Sequence, residues 1–290
     1  MDAKTLNALV HDREAALYDE RFLIEYGDVV ARELRRDLER LLGTVPAVER
    51  ALDVACGTGY AAVGLAASGI ARAVHASDLS IEMAKRTRAN ADATGVDVKV
   101  SLSDAERLPY DTGSFDLVIA RGALHHLPDP LAALAEIKRV LADGGTAVVL
   151  AEPTPDGEKQ VGAVVGLAVR VLEGIRKARG IEPDQEELER RHWELASMAA
   201  NLHTFLPSDI EALAEKAGFQ EISVGTASWA WILTLGMNYY LVGEFEALAR
   251  SNVARSTARA LARWAANFDR AVGDRVIPAR WRHTVQAVLR

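Results

Sequence analysis

Cysteine is almost absent: Cys56 is the one thiol in 290 residues. That excludes an intramolecular disulfide framework and any Cys-rich zinc or iron–sulfur site. The opening residues, MDAKTLNALVHDREAALYDE, carry charge throughout and lack the apolar stretch of a secretory signal, so the default expectation is a cytoplasmic protein. An excess of basic residues is lacking too. The chain has 34 Lys and Arg against 41 Asp and Glu, a net charge of −7. A general nucleic-acid binder needs the opposite balance, and none is expected here. Internal repeats and low-complexity segments are missing. Between Glu221 and Glu244 there is no charge, yet ISVGTASWAWILTLGMNYYLVG is punctuated by Gly, Ser, Thr, Asn and Tyr. It reads as a buried strand followed by a loop or helix, not as a membrane span.

What is present is ordinary globular material, 49% apolar and 26% charged, long enough for a large core. Residues up to about Gly43 read as helix, with Leu34, Leu38, Leu41 and Leu42 at helical spacing. From Arg50 a strand–helix alternation begins. ALDVA, ARAVHASD, VDVKVSLSD, SFDLVIA and TAVVLAEP read as strands. YAAVGLAAS, IEMAKRTRANADA and DPLAALAEIKRVLA read as helices. This rhythm predicts βαβ units, a parallel sheet and a doubly wound α/β fold. After Pro155 it breaks into helices up to about Phe205, then resumes with LPSDIEALAEKAGF, whose helix is expected to open on a capping box of Ser208 and Glu211, and the strand EISVGTASW. The expected organisation is an N-terminal helical cap over 1–45, a ligand-binding core over 46–155, a helical insertion over 156–205 acting as a lid, a continuation of the core over 206–242, and a mostly helical tail over 243–290.

The chemistry starts at LDVACGTGYAAVGL. Gly57 and Gly59 stand between a strand and a helix, where glycine lets the backbone turn tightly and the helix offers its N-terminal N–H groups to a ligand. Gly57, Gly59 and Ala62 also satisfy the dinucleotide pattern G-x-G-x-x-A, with Asp78 ending the next strand. At this point NAD and an S-adenosyl ligand fit equally. Two further carboxylates separate them. Asp53 lies inside the first strand, placed to brace the loop or meet a ligand ammonium group. Asp104 ends the third strand, placed to accept from an adenine amine while the Ala105 N–H donates to the ring. Carboxylates at successive strand ends suit a ligand with ribose, adenine and a cationic end, and repel a pyrophosphate.

These motifs resemble those of the class I S-adenosylmethionine-dependent methyltransferases, in particular the group of ubiquinone- and menaquinone-biosynthesis and natural-product enzymes. The matching segments are LDVACGTGY (Leu52–Tyr60), SDLS (Ser77–Ser80), DAERLPY (Asp104–Tyr110), SFDLVIARGALHHLPDP (Ser114–Pro130) and EIKRVLADGG (Glu136–Gly145). The resemblance is dense from Ala51 to Pro153 and returns at LPSDIEALAEKAGF. It implies a Rossmann-like seven-stranded sheet with one reversed strand at the edge, S-adenosyl-L-methionine as cofactor, and a small-molecule acceptor. The cofactor-binding set it implies is Tyr18, Asp53, Ala55, Gly57, Gly59, Asp78, Leu79, Met83, Asp104, Ala105, Arg121 and Gly122. Tyr18 enters because an N-terminal helix of the family folds over the cofactor. Arg121 and Gly122 enter because the turn after the fourth strand lies beside the methionine portion.

His125 and His126 follow the same strand, and one ring is a candidate general base for a hydroxyl or acidic carbon acceptor. The competing reading is a structural turn with one packed and one exposed histidine. His192 and His203, eleven apart, are expected on one face of the inserted helices. No spacing suggests a metal site. Trp193, Trp229, Trp231, Tyr239 and Tyr240 fall in segments that cap the pocket and predict a flat or greasy acceptor. Cys56 is expected to pack. From Glu244 onward nine Arg stand against four acids. Arg255, Arg259 and Arg263 read as a solvated helix face, with a homodimer through the tail as a further expectation. A dinucleotide oxidoreductase and a non-catalytic or repurposed member of the fold are the alternative functions.

Overall fold

The computed structural model describes residues 2–178, 200–244 and 251–290. Its centre is a seven-stranded sheet of order β3-β2-β1-β4-β5-β7-β6. The strands are β1 (Val48–Val54), β2 (Ala71–Asp78), β3 (Lys99–Leu102), β4 (Phe115–Arg121), β5 (Leu141–Pro153), β6 (Ile222–Ala227) and β7 (Thr284–Leu289). The pairs among β1 to β5 are parallel. β7 runs antiparallel to both β5 and β6. The reversed strand is thus the penultimate one, with β6 outside it. It falls within the stretch whose arginine-rich pattern reads as helical, so the end of the chain belongs to the sheet.

Side chains of β1 and β4 alternate between two cores, as the two-residue repeat of a strand requires. Leu52, Val54, Val118 and Ala120 pack with Leu134 and Ile137 of α6 (Pro130–Val140) and with Ile210 and Ala214 of α8 (Pro207–Ala217). Ala51, Leu117 and Ile119 pack with Val30, Leu34 and Leu38 of α3 (Asp28–Leu42) and with α4 (Tyr60–Ala67). The contact between α3 and α4 is close enough to require Gly64, where a Cβ would lie 2.8 Å from Leu34 Cδ2. α5 (Ile81–Thr94) is capped by Ser80, whose Oγ accepts the Met83 N–H at 3.1 Å, and it ends on left-handed Gly95.

At α8 the cap differs from expectation. Pro207 occupies the first helical position, so the helix begins ahead of Ser208, and Asp209 Oδ2 accepts the Leu206 N–H at 2.8 Å. The uncharged stretch resolves into β6 and then α9 (Ala230–Glu244). Among the described residues no helix is long and apolar enough to cross a membrane.

The chain winds outward from β1 to β3, then returns to lay β4 on the other side of β1. A crevice opens outside the carboxyl ends of strands where the order reverses in this way. Four segments roof it: α1 (Ala3–Glu14), α7 (Pro155–Ala178), α9 and α10 (Asn252–Phe268).

Candidate active site

β1 leaves the sheet through Ala55, Gly57 and Gly59, all at positive φ (51°, 55° and 90°). Gly59 is required by packing, because a Cβ there would meet Thr87 Cγ2 at 2.8 Å. Asp53 Oδ2 accepts the Ala62 N–H at 2.8 Å and so holds the first turn of α4 from inside the sheet. Its carboxyl is pushed up to about 7, mainly by burial, against the lowering effect of the Ala62 bond. Asp78 ties the loop to the next strand: Oδ2 accepts from Gly57 N–H and Oδ1 from Ser80 N–H, each at 2.8 Å. Burial raises its pKa as well. Cys56 is buried, with Sγ 3.4 Å from Thr87 Oγ1, and burial pushes its thiol well above the usual range.

One cleft brings together Tyr18, Asp53, Ala55, Gly57, Asp78, Leu79, Asp104, Ala105, Arg121 and Gly122. Two expected members do not line it. Met83 is fully buried in α5, and Gly59 faces Thr87. Three residues of α1 that the sequence reading did not single out fasten this helix beside the cleft. Lys4 Nζ stands 2.6 Å from Asp104 Oδ2 and 2.5 Å from Glu106 Oε2. The Asn7 amide donates to the carbonyls of His126 and Ala200 at 2.7 and 3.1 Å. Asp12 Oδ1 accepts from Ser80 Oγ at 2.5 Å and from Glu82 N–H at 3.1 Å. The order of residues in the chain carries no signal for these contacts.

Past Tyr18, Tyr60, Arg121 and Gly122 the cleft joins a cavity of about 650 Å³. Its wall includes Val10, Phe22, Val161, Val165, Trp231, Ile232 and Leu235. Of its arginines, Arg40 pairs with Asp274 at 2.8 Å, Arg259 and Arg263 with Glu25 at 3.6 and 2.5 Å, and Arg270 with Glu33 at 2.8 Å. Arg121 instead lies over the Tyr60 ring, 4.1 Å from its centroid, with the Trp231 ring at 6.0 Å. The Arg259–Arg263 face of the tail pairs with Glu25 of the N-terminal region, with Arg263 still half exposed to solvent.

The two adjacent histidines differ sharply. His126 is enclosed, its Nδ1 is 3.2 Å from the Ala200 carbonyl, and burial holds its pKa well below the usual range. Both rings line the large cavity and His126 also lines the cleft, but among the described residues only His125 meets a carboxylate, with Nδ1 2.9 Å from Glu152 Oε2. Glu152 was not legible as a site residue; it ends β5 and is fully buried. His203 sits in a loop, not on a helix, with Nε2 bonded to the Leu127 carbonyl at 3.0 Å. His192 and Trp193 lie outside the described residues, as does the side chain of Tyr240. Trp229 donates to Gln160 at 3.1 Å, and Tyr239 donates to Glu14 at 2.5 Å while accepting from Arg21 at 3.0 Å. Among the described residues no cluster of His, Cys, Asp or Glu could hold a metal ion.

Fold and site define a doubly wound α/β protein with a ligand cleft at its topological switch point and a second, larger compartment beside it. The family model of the methyltransferase domain matches residues 52–149. The 27-O-demethylrifamycin SV methyltransferase of Amycolatopsis mediterranei is 32% identical over 167 residues, 51% of this chain and 60% of that one. A demethylmenaquinone methyltransferase of Staphylococcus aureus is 31% identical over 174 residues, 54% of this chain and 70% of that one. Phosphoethanolamine N-methyltransferase 2 of Haemonchus contortus shares the fold, with a TM-score of 0.53 at 17% identity over 89% of this chain and 52% of that one. The chain spans between 48% and 60% of the length of three of the curated relatives. It belongs to the class I S-adenosylmethionine-dependent methyltransferases.

Proposed function

We propose that the protein transfers the methyl group of S-adenosyl-L-methionine to a small, largely apolar or aromatic acceptor, at O, C or N. The observation that carries this reading is the junction at Arg121 and Gly122, where a cleft rich in carboxylates and glycine opens onto a cavity with a broad apolar wall. The donor set of the cleft fits the cofactor. Asp78 is held by two backbone N–H groups in an orientation suited to ribose hydroxyls. Asp104 and the Ala105 N–H suit adenine. Ser103 Oγ is buried beside them with no partner among the described residues, and a ligand polar atom would satisfy it. Leu79, Gly57, Ala55 and Tyr18 line the same cleft, and Asp53, Arg121 and Gly122 would face the amino-acid end of the cofactor.

When bound, the cofactor supplies a methyl already activated on sulfonium sulfur. The chain's own task is to align acceptor and methyl within about 3–3.5 Å and to exclude water. Trp231, Ile232 and Leu235 of α9 and Val161 and Val165 of α7 supply the dry wall for that. Ion pairing of four of the cavity's arginines favours an acceptor body without net charge. The reading carries with it a cytoplasmic enzyme that acts on a small molecule and does not act on nucleic acid. Self-association would use the outward Val253, Leu261 and Trp264 of α10, and sedimentation velocity tests it.

The direct test of the reading is calorimetry with S-adenosylhomocysteine and with NAD. Binding of the first, with a matching rise in melting temperature, is the expected outcome. Stabilisation by NAD alone would overturn the reading in favour of a dinucleotide enzyme.

A further inference from the structure

The turn after β4 is organised around one buried carboxylate. Glu152 Oε1 accepts the N–H groups of Ala123 and Leu124 at 2.9 and 3.0 Å. Its Oε2 accepts the His125 N–H at 3.1 Å and faces His125 Nδ1 at 2.9 Å. The three backbone neighbours are donors, so an ionised Glu152 offers only lone pairs, and Nδ1 bonds to it by carrying the proton. The lone pair of a neutral His125 then resides on Nε2. That nitrogen has no hydrogen bond among the described residues, and the ring lines the acceptor cavity. The ring also sits at the junction, since a Cβ on Gly122 would lie 3.9 Å from His125 Cε1. His126, tilted 40° beside it with centroids 3.9 Å apart, also lines the cavity, but its Nδ1 faces the neutral Ala200 carbonyl, so no carboxylate among the described residues stands ready to stabilise its protonated ring.

We propose that His125 is the general base of the methyl transfer and that Glu152 is its positioning residue, fixing the Nδ1–H tautomer so that Nε2 faces the acceptor. The inference rests on the methyltransferase reading above and narrows it to acceptors that must lose a proton: a hydroxyl or an acidic carbon. The balance is complete within that reaction. The acceptor's electron pair forms the new bond to the methyl carbon, the carbon–sulfur bond breaks, and its electrons remain on sulfur, which leaves as a neutral thioether. The acceptor proton passes to His125 Nε2. The imidazolium so formed is stabilised by the Glu152 carboxylate 2.9 Å from Nδ1, and its proton leaves to solvent before the next cycle. Glu152 touches neither acceptor nor cofactor, and its effect runs through the ring it orients.

The tautomer is measurable without turnover. Two-bond proton–nitrogen spectra of protein labelled with ¹⁵N-histidine, assigned with His125→Gln, should show His125 protonated on Nδ1 and bare on Nε2. In Glu152→Gln the pattern should invert. With the Gln oxygen kept at the Ala123 and Leu124 donors, its NH2 group faces His125, and only the imidazole can respond by moving its proton. A wild-type ring protonated on Nε2, or an unchanged pattern in Glu152→Gln, overturns the proposal.

Should Glu152→Gln fail to fold, diethyl pyrocarbonate decides on the wild-type protein. Modification should fall on His125 ahead of His126, and the reverse order overturns the proposal. In turnover, His125→Gln should lower the rate about 100-fold or more on hydroxyl or acidic-carbon acceptors and leave S-adenosylhomocysteine affinity within threefold. Transfer confined to amine acceptors would sink the base while leaving the methyltransferase reading standing. Loss of S-adenosylhomocysteine binding in the wild type would sink that reading itself.

Discussion

At the scale of single residues, the cleft depends on carboxylates that the protein keeps away from water. Asp53 is the clearest case, with a pKa pushed up to about 7 mainly by burial. The folded state therefore holds this proton more tightly than the unfolded chain, whose Asp titrates near 4. Stability from this group is full below the unfolded value, falls as pH rises from about 4 to about 7, and is flat above that. The slope is at most about 1.4 kcal/mol per pH unit. Asp53→Asn retains an oxygen for the Ala62 N–H and has nothing to titrate. Urea unfolding should show the variant gaining on wild type between about pH 4 and about pH 7 and no further above that, and parallel pH curves would contradict the assignment. Asp78 has a different role, because both its oxygens are already anchored and aimed. Removing charge-assisted bonds to ribose costs about 1.5–3 kcal/mol. Asp78→Ala should weaken S-adenosylhomocysteine binding tenfold or more by calorimetry, and an unchanged affinity would remove it from the site.

At the scale of elements, α1 behaves as a bar fastened across the cleft by Lys4, Asn7 and Asp12. Lys4 pairs with Asp104, the carboxylate proposed above to take the adenine amine. Its ion pairs are partly exposed, so salt should loosen them. The S-adenosylhomocysteine association rate of wild type should therefore rise with added potassium chloride. Lys4→Met should bind faster at low salt and show little salt dependence; identical salt profiles by stopped flow would exclude Lys4 as a latch. No pattern in the chain announces this contact, and the reason is general. Gly57, Asp78, Asp104 and Arg121 were legible because each stands at the end of its own strand, and strand ends of a parallel sheet converge on one crevice. Lys4, Asn7 and Glu152 act through partners set by how separate elements dock, which local periodicity does not encode. β7 escaped for another reason. TVQAVL is a short run after arginine-rich helices, and its strand character comes from pairing with β5 and β6 at the same time. Pro207 displaced the expected Ser208 cap because the helix starts on the proline, and His203 left its expected helix to bond the Leu127 carbonyl.

At the scale of the whole molecule, the larger cavity is assembled from segments that are far apart in the chain: the N-terminal helices, α7, α9 and the tail. Two kinds of joint hold them. Asp269, 3% exposed, accepts the N–H groups of Trp229, Ala230 and Trp231 at 2.9–3.0 Å and locks the tail to the start of α9. Arg259 and Arg263 reach Glu25 from partly exposed positions, and pairs of that kind contribute little, about 0–1 kcal/mol. The buried joint should stay closed while the surface joint opens, so the cap is expected to hinge at Asp269 and part at Glu25. A buried pocket needs such an entrance, and opening on this scale is read by amide exchange. Hydrogen exchange followed by mass spectrometry should show α1, α7 and α10 gaining protection when S-adenosylhomocysteine is added, with β1 and β4 unchanged. Glu25→Gln should speed exchange in α10 and α3 without affecting the peptide that spans Trp229–Trp231. Equal protection of the cap with and without ligand would show a rigid cavity. Faster exchange at Trp229–Trp231 in Glu25→Gln would show that the two joints open together and that Asp269 is no hinge.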